Sequence, residues 1–516
     1  MSAKTRYDVL SSNRSQYLNI AKQASELTIP YLIHEDVTTT GTRTLKTPWQ
    51  SVGAKGVVTL AAKLMLSLLP PQTSFFKLQV DESKLGEYGP QIKSELDLAF
   101  AKVERTILES IAASDDRVVV HQAMKHLVVS GNALIFMGKN GLKLFPLNRY
   151  VIDRDGNGNV IEIVTKESIN KKLIEELMPN LKKGEVTDND EDTQECDVYT
   201  HVTVKDNRVN WHQEVYDKII PKSQSKAPLS ITPWLPLRFN TVDGEGYGRG
   251  RVEEFMGDLK SLEALSQALV EGSAAASKVV FTVSPSASTK PATLAAAGNG
   301  AIIQGRPEDI GVIQVGKGAD FQTAYQAAGT LEKRLSEAFL ILSVRQSERT
   351  TAEEVRMTQM QLEQQLGGLF SLLTVEFLVP YLDRKLSVLQ KNKIIPPIPK
   401  DVVKPTIVAG INALGRGQDR ESLTMFMQTI AQTVGPEAMM NFINPDEVIK
   451  RLAAASGIDV LNLVKSMQEI QGQQQQQMQQ QMAMQEQQNA PAMAAVEQKQ
   501  MQAEMQMAMQ AQQPPQ

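Results

Sequence analysis

Apolar residues in the first part of the chain recur at the spacing of amphipathic helices. From Gln50 to Leu69 they repeat every three to four residues, with Pro48 before the stretch and Pro70-Pro71 after it. This pattern predicts one helix between two proline boundaries. The stretch from Leu96 to Ala113 has the same spacing, so residues 1–120 are predicted to be mainly helical.

The pattern changes between residues 117 and 239. The run RVVVHQAMKHLVVSGNALIFM passes from helical spacing into an apolar strand, and LKLFPLNRYVIDRDGNGNVIEIV indicates strands around an Asn-Gly turn. A polar surface excursion over 166–195 precedes further short strands that end near residue 239. The first 240 residues are therefore predicted to form one α+β body.

Two long helices flank a compact insert in the middle of the chain. Arg251–Lys278 contains no proline and has the three-four apolar spacing of an amphipathic helix with a coiled-coil-like seam. A second helix is predicted over Phe321–Leu342, with Asp320 as its N-cap. The insert, 279–319, contains two short strand-like runs. We therefore expect a helical hairpin that carries a small domain.

A polar loop at 343–350 leads into a third long helix. Thr351 and Glu354 have the spacing of a capping box, and the helix is predicted to continue to about Gln390. The residues predicted to kink it are Gly367, Gly368 and Pro380.

The C-terminal hundred residues divide into two parts. Residues 418–470 again show helical spacing, whereas 471–516 hold 20 Gln and 8 Met among 46 residues. Such a composition lacks the residues that build an ordinary core. Two interpretations stand for this tail: a disordered segment, or a helix ordered by its neighbours in an oligomer.

Charge and cysteine content restrict the classes of protein. Lys and Arg number 54 against 58 Asp and Glu, and the net charge is −4, which argues against a broad basic surface for nucleic acid. The single cysteine, Cys196, excludes a disulfide framework. The strongest apolar run, Val57–Leu69, is too short to span a bilayer. We expect a soluble protein of a reducing compartment, with no membrane segment.

The segment from Gly311 to Gly318 approaches a phosphate-binding loop. It matches G-x-x-x-x-G-K through Gly316 and Lys317, but Gly318 stands where a Ser or Thr must bind magnesium. The apolar alternation between the glycines is typical of a strand. We therefore predict a junction from strand to turn to helix and no nucleotide cofactor.

Other candidate sites have ordinary explanations. The stretch from Asp153 to Asn159 resembles the start of a calcium loop, but its twelfth position is Val164 instead of glutamate, which favours a β-turn without an ion. His121 and His126 are five residues apart and do not share a helix face as metal ligands would. The glycines at 244, 246, 248 and 250 are interpreted as a flexible start to the long helix. No metal site is predicted.

Several blocks in one order carry a resemblance to a known family. They are KTPWQSVGAKGVVTLAAKLMLSLLPPQTSFFKL (46–78), LVVSGNALIF (127–136), YVIDRDGNGNVIEIVTKE (150–167), YGRGRVEEFMGDLKSLE (247–263), GRPEDIG (305–311), ERTTAEEVRMTQMQLEQQLGGLFSLL (348–373) and GRGQD (415–419). From about residue 5 to 470 the chain resembles the portal, or head–tail connector, proteins of short-tailed bacteriophages. The Gln/Met-rich tail lies outside the resemblance.

The resemblance implies a mainly helical α+β portal fold that assembles as a dodecameric ring at one capsid vertex. The parts it implies are the wing (1–250 and the kinked helix 351–399), the two stem helices (251–278 and 320–342), the clip (279–319), the tunnel loop (343–350), the crown (400–470) and the tail (471–516), which would be a barrel or disordered.

The resemblance also implies a function and partners. Such a ring is a conduit for packaging and ejecting double-stranded DNA without sequence preference, and it catalyses nothing. The implied partners are the terminase large subunit, the tail adaptor, the major capsid protein, and the scaffolding and internal core proteins. The implied location is the virion, after assembly in the host cytoplasm.

The resemblance also assigns roles to particular side chains. The candidates for the DNA channel are Arg345, Arg349 and Arg356, which by themselves would fit a solvated loop. The candidates for packing between neighbouring stems are Leu259, Leu262, Leu269, Leu331 and Leu335. A net charge of −4 fits this function, because strong phosphate binding along a bore would hold DNA in place.

Three classes of function therefore compete: a portal ring, an ATP-hydrolysing enzyme with a phosphate loop, and a helical scaffold that forms no ring. An ATPase assay with a Lys317 variant separates the first two classes. The mass of the purified assembly separates the first from the third.

Overall fold

The computed structural model of the chain divides into two units, Met1–Ala413 and Leu414–Gln516. It describes residues 1–33, 45–71, 75–80, 90–139, 141–178, 195–276, 280–298, 300–313, 318–341, 366–396, 403–407, 423–433 and 499–505, with single positions at 435, 448 and 507.

Helices make up more of the chain than strands. Those described in the first unit are α1 (Ala3–Glu26), α2 (Val52–Leu68), α3 (Pro90–Ala112), α4 (Asp116–Ser130), α5 (Lys171–Leu177), α6 (Arg251–Glu254), α7 (Met256–Ala276), α8 (Pro291–Ala296), α9 (Gly318–Ala338) and α10 (Leu366–Lys391). The described residues of the second unit include helices over 423–433 and 499–505.

The strands of the described residues form four antiparallel sheets. They are β1 (Phe76–Val80), β2 (Asn132–Gly138), β3 (Gly141–Phe145), β4 (Tyr150–Arg154), β5 (Val160–Asn170), β6 (Glu195–Lys205), β7 (Arg208–Val215), β8 (Lys218–Ile219), β9 (Ser225–Pro228), β10 (Trp234–Arg238), β11 (Val280–Val283), β12 (Ile310–Ile313) and β13 (Val403–Ile407). The orders are β4-β5-β6-β7-β8 with β9 on β7, β10-β2-β3, β11-β12 and β1-β13.

The main core lies where α2, α4 and α10 meet the β2–β10 sheet. Its buried residues include Leu60 and Leu64 of α2, Leu127 of α4 and Phe377 of α10. A second cluster joins α1 to the large sheet through Tyr17, whose ring centroid lies 5.1 Å from that of Tyr247. The predicted mixture of helices and strands in the first 240 residues is confirmed.

β13 was not predicted. Helical spacing was predicted over 418–470 and no strand before it, whereas Val403–Ile407 pairs in antiparallel register with Phe76–Val80. The proline-rich composition hides this strand, because Pro405 cannot donate a ladder hydrogen bond. A strand with a single partner tolerates the missing donor, and Pro405 lies opposite Leu78.

The first of the two predicted long helices is interrupted at Phe255. α6 ends at Glu254 and α7 begins at Met256. The Phe255 ring packs with its centroid 6.0 Å from that of Phe339, and the Arg251 guanidinium lies 4.9 Å from it. The three-four pattern persists across this break, so periodicity alone does not reveal it.

The predicted N-cap of the second long helix is wrong. α9 begins at Gly318, so Asp320 lies inside its first turn. An acidic residue is favourable at both positions, because both lie at the positive end of the helix dipole. The sequence signal therefore locates this end only to within a turn.

α10 contains a π-turn at Thr374–Leu378. Leu373 and Leu389 are both buried. They are sixteen residues apart, which is about four and a half turns of a regular α-helix, so a regular helix would place them on nearly opposite faces. The extra residue in the π-turn brings them closer to one face. Pro380 follows the turn, and its ring would meet the carbonyl of Glu376 in a regular helix. Gly367 and Gly368 lie before the turn in regular helix.

α10 is long and apolar enough, by length and composition, to cross a membrane. Leu366, Phe370, Leu382 and other positions on it are buried in the main core. It also carries Lys385, which is ion-paired inside the first unit. These contacts are those of a core helix.

Candidate functional site

The α7–α9 hairpin, formed by residues 256–276 and 318–338, packs along an apolar seam. Arg334 of α9 forms a salt bridge with Asp258 of α7 at 2.8 Å. Gly272 allows close approach further along the hairpin, since a Cβ there would lie 2.5 Å from the Phe321 ring. Gly272 therefore brings the two helices of one chain together.

The five leucines predicted to pack between subunits have different surroundings. Leu259, Leu262 and Leu335 are already buried in the core of the single chain, so they have no surface left for a neighbour. Leu269 and Leu331 are only partly buried. The structure therefore narrows this prediction to Leu269 and Leu331.

The half of the hairpin away from the core is open to solvent in the single chain. No residue of 263–275 or 321–334 is buried. Val270 is 54% exposed and Tyr325 is 73% exposed. Residues 321–331 carry no charge, and alanine, glycine, glutamine and threonine predominate among them. Residues 321–331 of α9 therefore present an uncharged surface of mainly small side chains, whereas α7 carries Glu263 and Glu271 in this half.

The insert between α7 and α9 forms a small unit around β11 and β12. Its two strands pair from Val280–Ile313 to Val283–Ile310. The Asp309 carboxylate accepts hydrogen bonds from the amide and the hydroxyl of Ser288, both at 3.1 Å. Phe281 and Ile302 are exposed. The insert is thus held by internal polar contacts and presents apolar side chains outward.

The first glycine of the near-miss phosphate loop lies in a strand and not in a loop. Gly311 lies in β12 opposite Thr282, where a Cβ would come within 2.5 Å of the threonine hydroxyl oxygen. A phosphate cradle needs this glycine in a loop that presents amide groups. Gly316 and Lys317 lie outside the described residues, but the strand before them and the helix after them agree with the predicted junction.

The calcium-like segment closes a β-turn. One carboxylate oxygen of Asp155 accepts hydrogen bonds from the amides of Asn157 and Asn159, at 2.9 and 2.7 Å. Gly158 has φ +82°, which suits glycine. The Asp155 side chain is therefore engaged by its own turn. The described part of the chain contains no group of three His, Cys, Asp or Glu that could hold a metal ion.

His121 and His126 are core-side residues of α4. Burial lowers the pKa of His126 to about 4, helped by the charge of Lys125. Burial also lowers the pKa of His121. Nδ1 of His126 has no hydrogen-bond partner among the described residues. His126 is therefore neutral at physiological pH, and its side chain packs in the protein interior.

A polar cluster that the sequence analysis did not identify fixes the start of α1. Arg6 contacts the Glu162 carboxylate at 2.5 Å, and Nε2 of His201 lies 2.6 Å from the same carboxylate. Burial opposes ionisation of Glu162, but these two partners lower its pKa overall. The amide of Ala3 donates to Glu214 at 2.6 Å, and His212 contacts Glu214 as well.

A signal for part of this cluster was present in the sequence. His201 and His212 lie symmetrically about the two-residue turn Asp206-Asn207, which predicts that they face each other across a hairpin. Their rings are 5.4 Å apart. The contribution of Arg6 depends on a contact over 156 residues, for which the sequence holds no local signal.

The interpretation of the glycines before α6 as a flexible start to the long helix is wrong for Gly248 and Gly250. A Cβ on Gly248 would lie 2.6 Å from the carbonyl oxygen of Gly131, and one on Gly250 would lie 2.7 Å from that of Val129. The Asn132 side chain also bonds both backbone groups of Gly248, at 2.7 and 2.8 Å. These glycines allow two backbones to pack directly together.

Polar contacts attach α10 to the rest of the first unit. Arg238 of β10 contacts the Glu376 carboxylate at 2.6 Å, within the π-turn. Further along, the Tyr381 hydroxyl and the Lys385 amine contact the buried Asp116 carboxylate at 2.6 and 2.8 Å. These anchors fix the C-terminal half of α10 against α4 and β10.

The predicted channel arginines, Arg345, Arg349 and Arg356, lie outside the described residues, as do Thr351 and Glu354. The two sides of that segment are described. Leu340 and Ile341 before it, and Leu366 after it, pack into the same main core.

Comparison with known proteins gives a match over most of the chain. The profile of the family described as "Bacteriophage head to tail connecting protein" matches residues 1–461. The match ends before the Gln/Met-rich tail.

Three curated relatives carry the same printed description. The "Portal protein" of Escherichia phage T7 is 36% identical over 481 residues, which are 91% of this chain and 89% of the relative. That of Enterobacteria phage T3 is 37% identical over 482 residues, with the same coverage. That of Enterobacteria phage SP6 is 28% identical over 435 residues, 82% of each chain.

Proposed function

The chain belongs to the bacteriophage head-to-tail connecting proteins, and from this membership we propose how its parts serve that role. It is a portal protein, a structural component of the phage capsid and not a catalyst. The finer proposal is that twelve copies close into a ring around a channel for double-stranded DNA. Terminase, tail adaptor, capsid, scaffolding and internal core proteins would be its partners.

The observation that best supports a ring is the solvent exposure of the outer half of the α7–α9 hairpin. Small, mostly uncharged side chains lose little hydration free energy when they are covered. They also allow a neighbouring helix pair to approach closely. In a closed ring every copy covers the same surface on the next copy. Leu269, Val270 and Leu331 are among the apolar side chains available for that contact, and they support this arrangement.

The proposed division of the chain follows from this arrangement. The wing would be 1–250 together with 351–399, the stem 251–278 and 320–342, and the clip 279–319. The tunnel loop would be 343–350, the crown 400–470 and the tail 471–516. β13, at 403–407, pairs with β1, so the first few residues of this crown range belong structurally with the wing.

Substituting Val270 with glutamate is expected to weaken the assembly. One further negative charge per copy, next to Glu271, would enter the contact and lose its hydration there. We expect the wild-type protein to have the mass of about twelve chains, and V270E to move more than half of it to smaller species. Native mass spectrometry or mass photometry reports both.

The matched control is V270T, which has nearly the same shape without a charge and should assemble normally. A monomeric or dimeric wild-type protein would contradict the ring. If V270E assembles as well as V270T, this hairpin surface is not the contact.

Replacing Arg345 and Arg349 with alanine is expected to alter how packaged DNA is retained. Contacts to phosphate carry no sequence information but resist sliding. We expect a changed packaged genome length or faster loss of DNA from filled particles, measured by gel sizing of particle DNA and by nuclease access. R356A is the companion variant, seven residues further along the sequence. Unaltered length and retention in the double variant would remove these arginines from the channel wall.

A further inference from the structure

The C-terminal end of α9 stops without a stop signal in its sequence. Periodicity predicts a helix to Leu342, and the segment Phe339-Leu340-Ile341 contains neither glycine nor proline. In the structure the helix ends at Ala338. The stop must therefore come from contacts with other elements.

The end has the hydrogen bonds of a Schellman motif. The amide of Ile341 donates to the Ser336 carbonyl at 2.7 Å, and the amide of Leu340 donates to the Glu337 carbonyl at 3.1 Å. This motif normally has glycine at the position that Leu340 occupies, because the backbone there is left-handed. Leu340 has φ +56°, a conformation unfavourable for a branched side chain.

Three contacts from other helices hold this unfavourable end. The Lys63 amine of α2 donates to the Leu340 carbonyl at 2.7 Å, and Arg251 donates to the Ala338 carbonyl at 3.3 Å. Phe339 is fully buried against Gly56 of α2, where a Cβ would lie 2.6 Å from its ring. Two cations therefore lie at the negative end of the helix dipole.

Continuing the helix would cost no backbone hydrogen bond. In a regular α-helix the amide of Leu340 would donate to Ser336 and that of Ile341 to Glu337. The same two donors and the same two acceptors would exchange partners. Phe339, whose amide already bonds the Leu335 carbonyl at 2.9 Å, would keep its place against Gly56.

We propose that this end of α9 is a conformational switch that either stops at Ala338 or continues as α-helix through Ile341. The stopped state is favoured by the Lys63 contact and by the apolar contacts of Leu340 and Ile341 with the core. The extended state relieves the left-handed backbone at Leu340. Three added residues lengthen the helix by about 4.5 Å and turn the departing chain to a new direction.

The strength of the Lys63 contact bears on this balance. Burial lowers the pKa of the Lys63 amine, so holding the cation at this site has a desolvation cost. That cost reduces the advantage of the stopped state over the extended one. The switch is a property of one chain and does not depend on the number of copies in an assembly.

The test compares two substitutions at the same position in the full-length protein. Both L340G and L340A remove the leucine side chain, but glycine accepts the left-handed backbone and alanine favours helix. We expect L340G to stop at Ala338 and L340A combined with K63M to continue through Ile341. The ratio of extended to stopped chains should differ by about tenfold or more between them, as counted by particle classification in cryo-EM.

Two results would overturn the proposal. One is an L340A/K63M protein that still stops at Ala338. The other is an L340A/K63M protein that does not fold while L340G and K63M each fold, because the stopped end would then be the sole conformation that the core accepts. Phages carrying L340G, locked in the stopped state, should form plaques at least tenfold less efficiently, and a normal titre would show that particles do not use the switch.

Discussion

Replacing Gly131 with alanine is expected to destabilise the first unit by about 2–5 kcal/mol, which is the sum of a left-handed backbone cost and an overpacking cost. Gly131 ends α4 with φ +73°. A Cβ there would lie 2.4 Å from the carbonyl carbon of Arg249 and 2.6 Å from the amide nitrogen of Gly250. Both are backbone atoms, so no side-chain rotation relieves the overlap.

The surrounding backbone is fixed from both sides. The Gly131 carbonyl accepts a hydrogen bond from Phe239 at 2.9 Å, and Arg249 and Asn240 bond each other's backbone. Gly244 offers a matched control, because its φ is +78° and its Cβ direction is open. We expect G244A to cost about 1 kcal/mol and G131A to lower soluble yield and the melting midpoint sharply. Equal midpoints for the two variants would contradict the close backbone packing.

Replacing Asp116 with alanine is expected to cost about 3–5 kcal/mol. Asp116 is 1% exposed. Its carboxylate accepts a hydrogen bond from the Tyr381 hydroxyl and forms a salt bridge with the Lys385 amine. Burial, together with the Asp116 charge, raises the pKa of Tyr381, so the hydroxyl stays protonated and donates. Without the carboxylate, a mostly buried cation would have no counter-charge.

Two further variants show whether the loss of stability in D116A comes from the unpaired charge of Lys385 or from a change at the start of α4. Asp115, the exposed neighbour, provides the control D115A, which should change the melting midpoint little. D116A combined with K385M should recover part of the loss, because it removes the unpaired charge and keeps the apolar stem. A double variant as unstable as D116A alone would show that Lys385 is not the reason for the loss. Urea and thermal melting of the purified protein report these differences.

The sequence predicted those elements whose signals are local. Gln50–Leu69 appears as α2 because its apolar face and its proline boundaries lie in one stretch. The Asn-Gly turn joins β4 and β5 as expected. The insert contains two strands, because alternation and turn residues are also short-range features. Gly311 lies in β12, as the apolar alternation after it predicted.

Other features could not be predicted because they depend on residues far apart in the chain. The sequence around Gly248 suggests a flexible segment, whereas in the structure its backbone packs directly against that of Gly131. Nothing near Pro405 indicates that β1 supplies its partner strand. The role of Gly56 depends on Phe339, which lies 283 positions later in the sequence.

The sequence by itself determined the family and those helices and strands whose signals are local, because periodicity, turn residues and blocks in one order are read along the chain. Tertiary structure decided which leucines are already buried and where α9 ends. It also decided that the carboxylates of Asp116 and Glu162 are buried, each beside cationic or histidine partners from remote segments. Burial and ion pairing depend on distances in space, and these are set only when remote segments pack together.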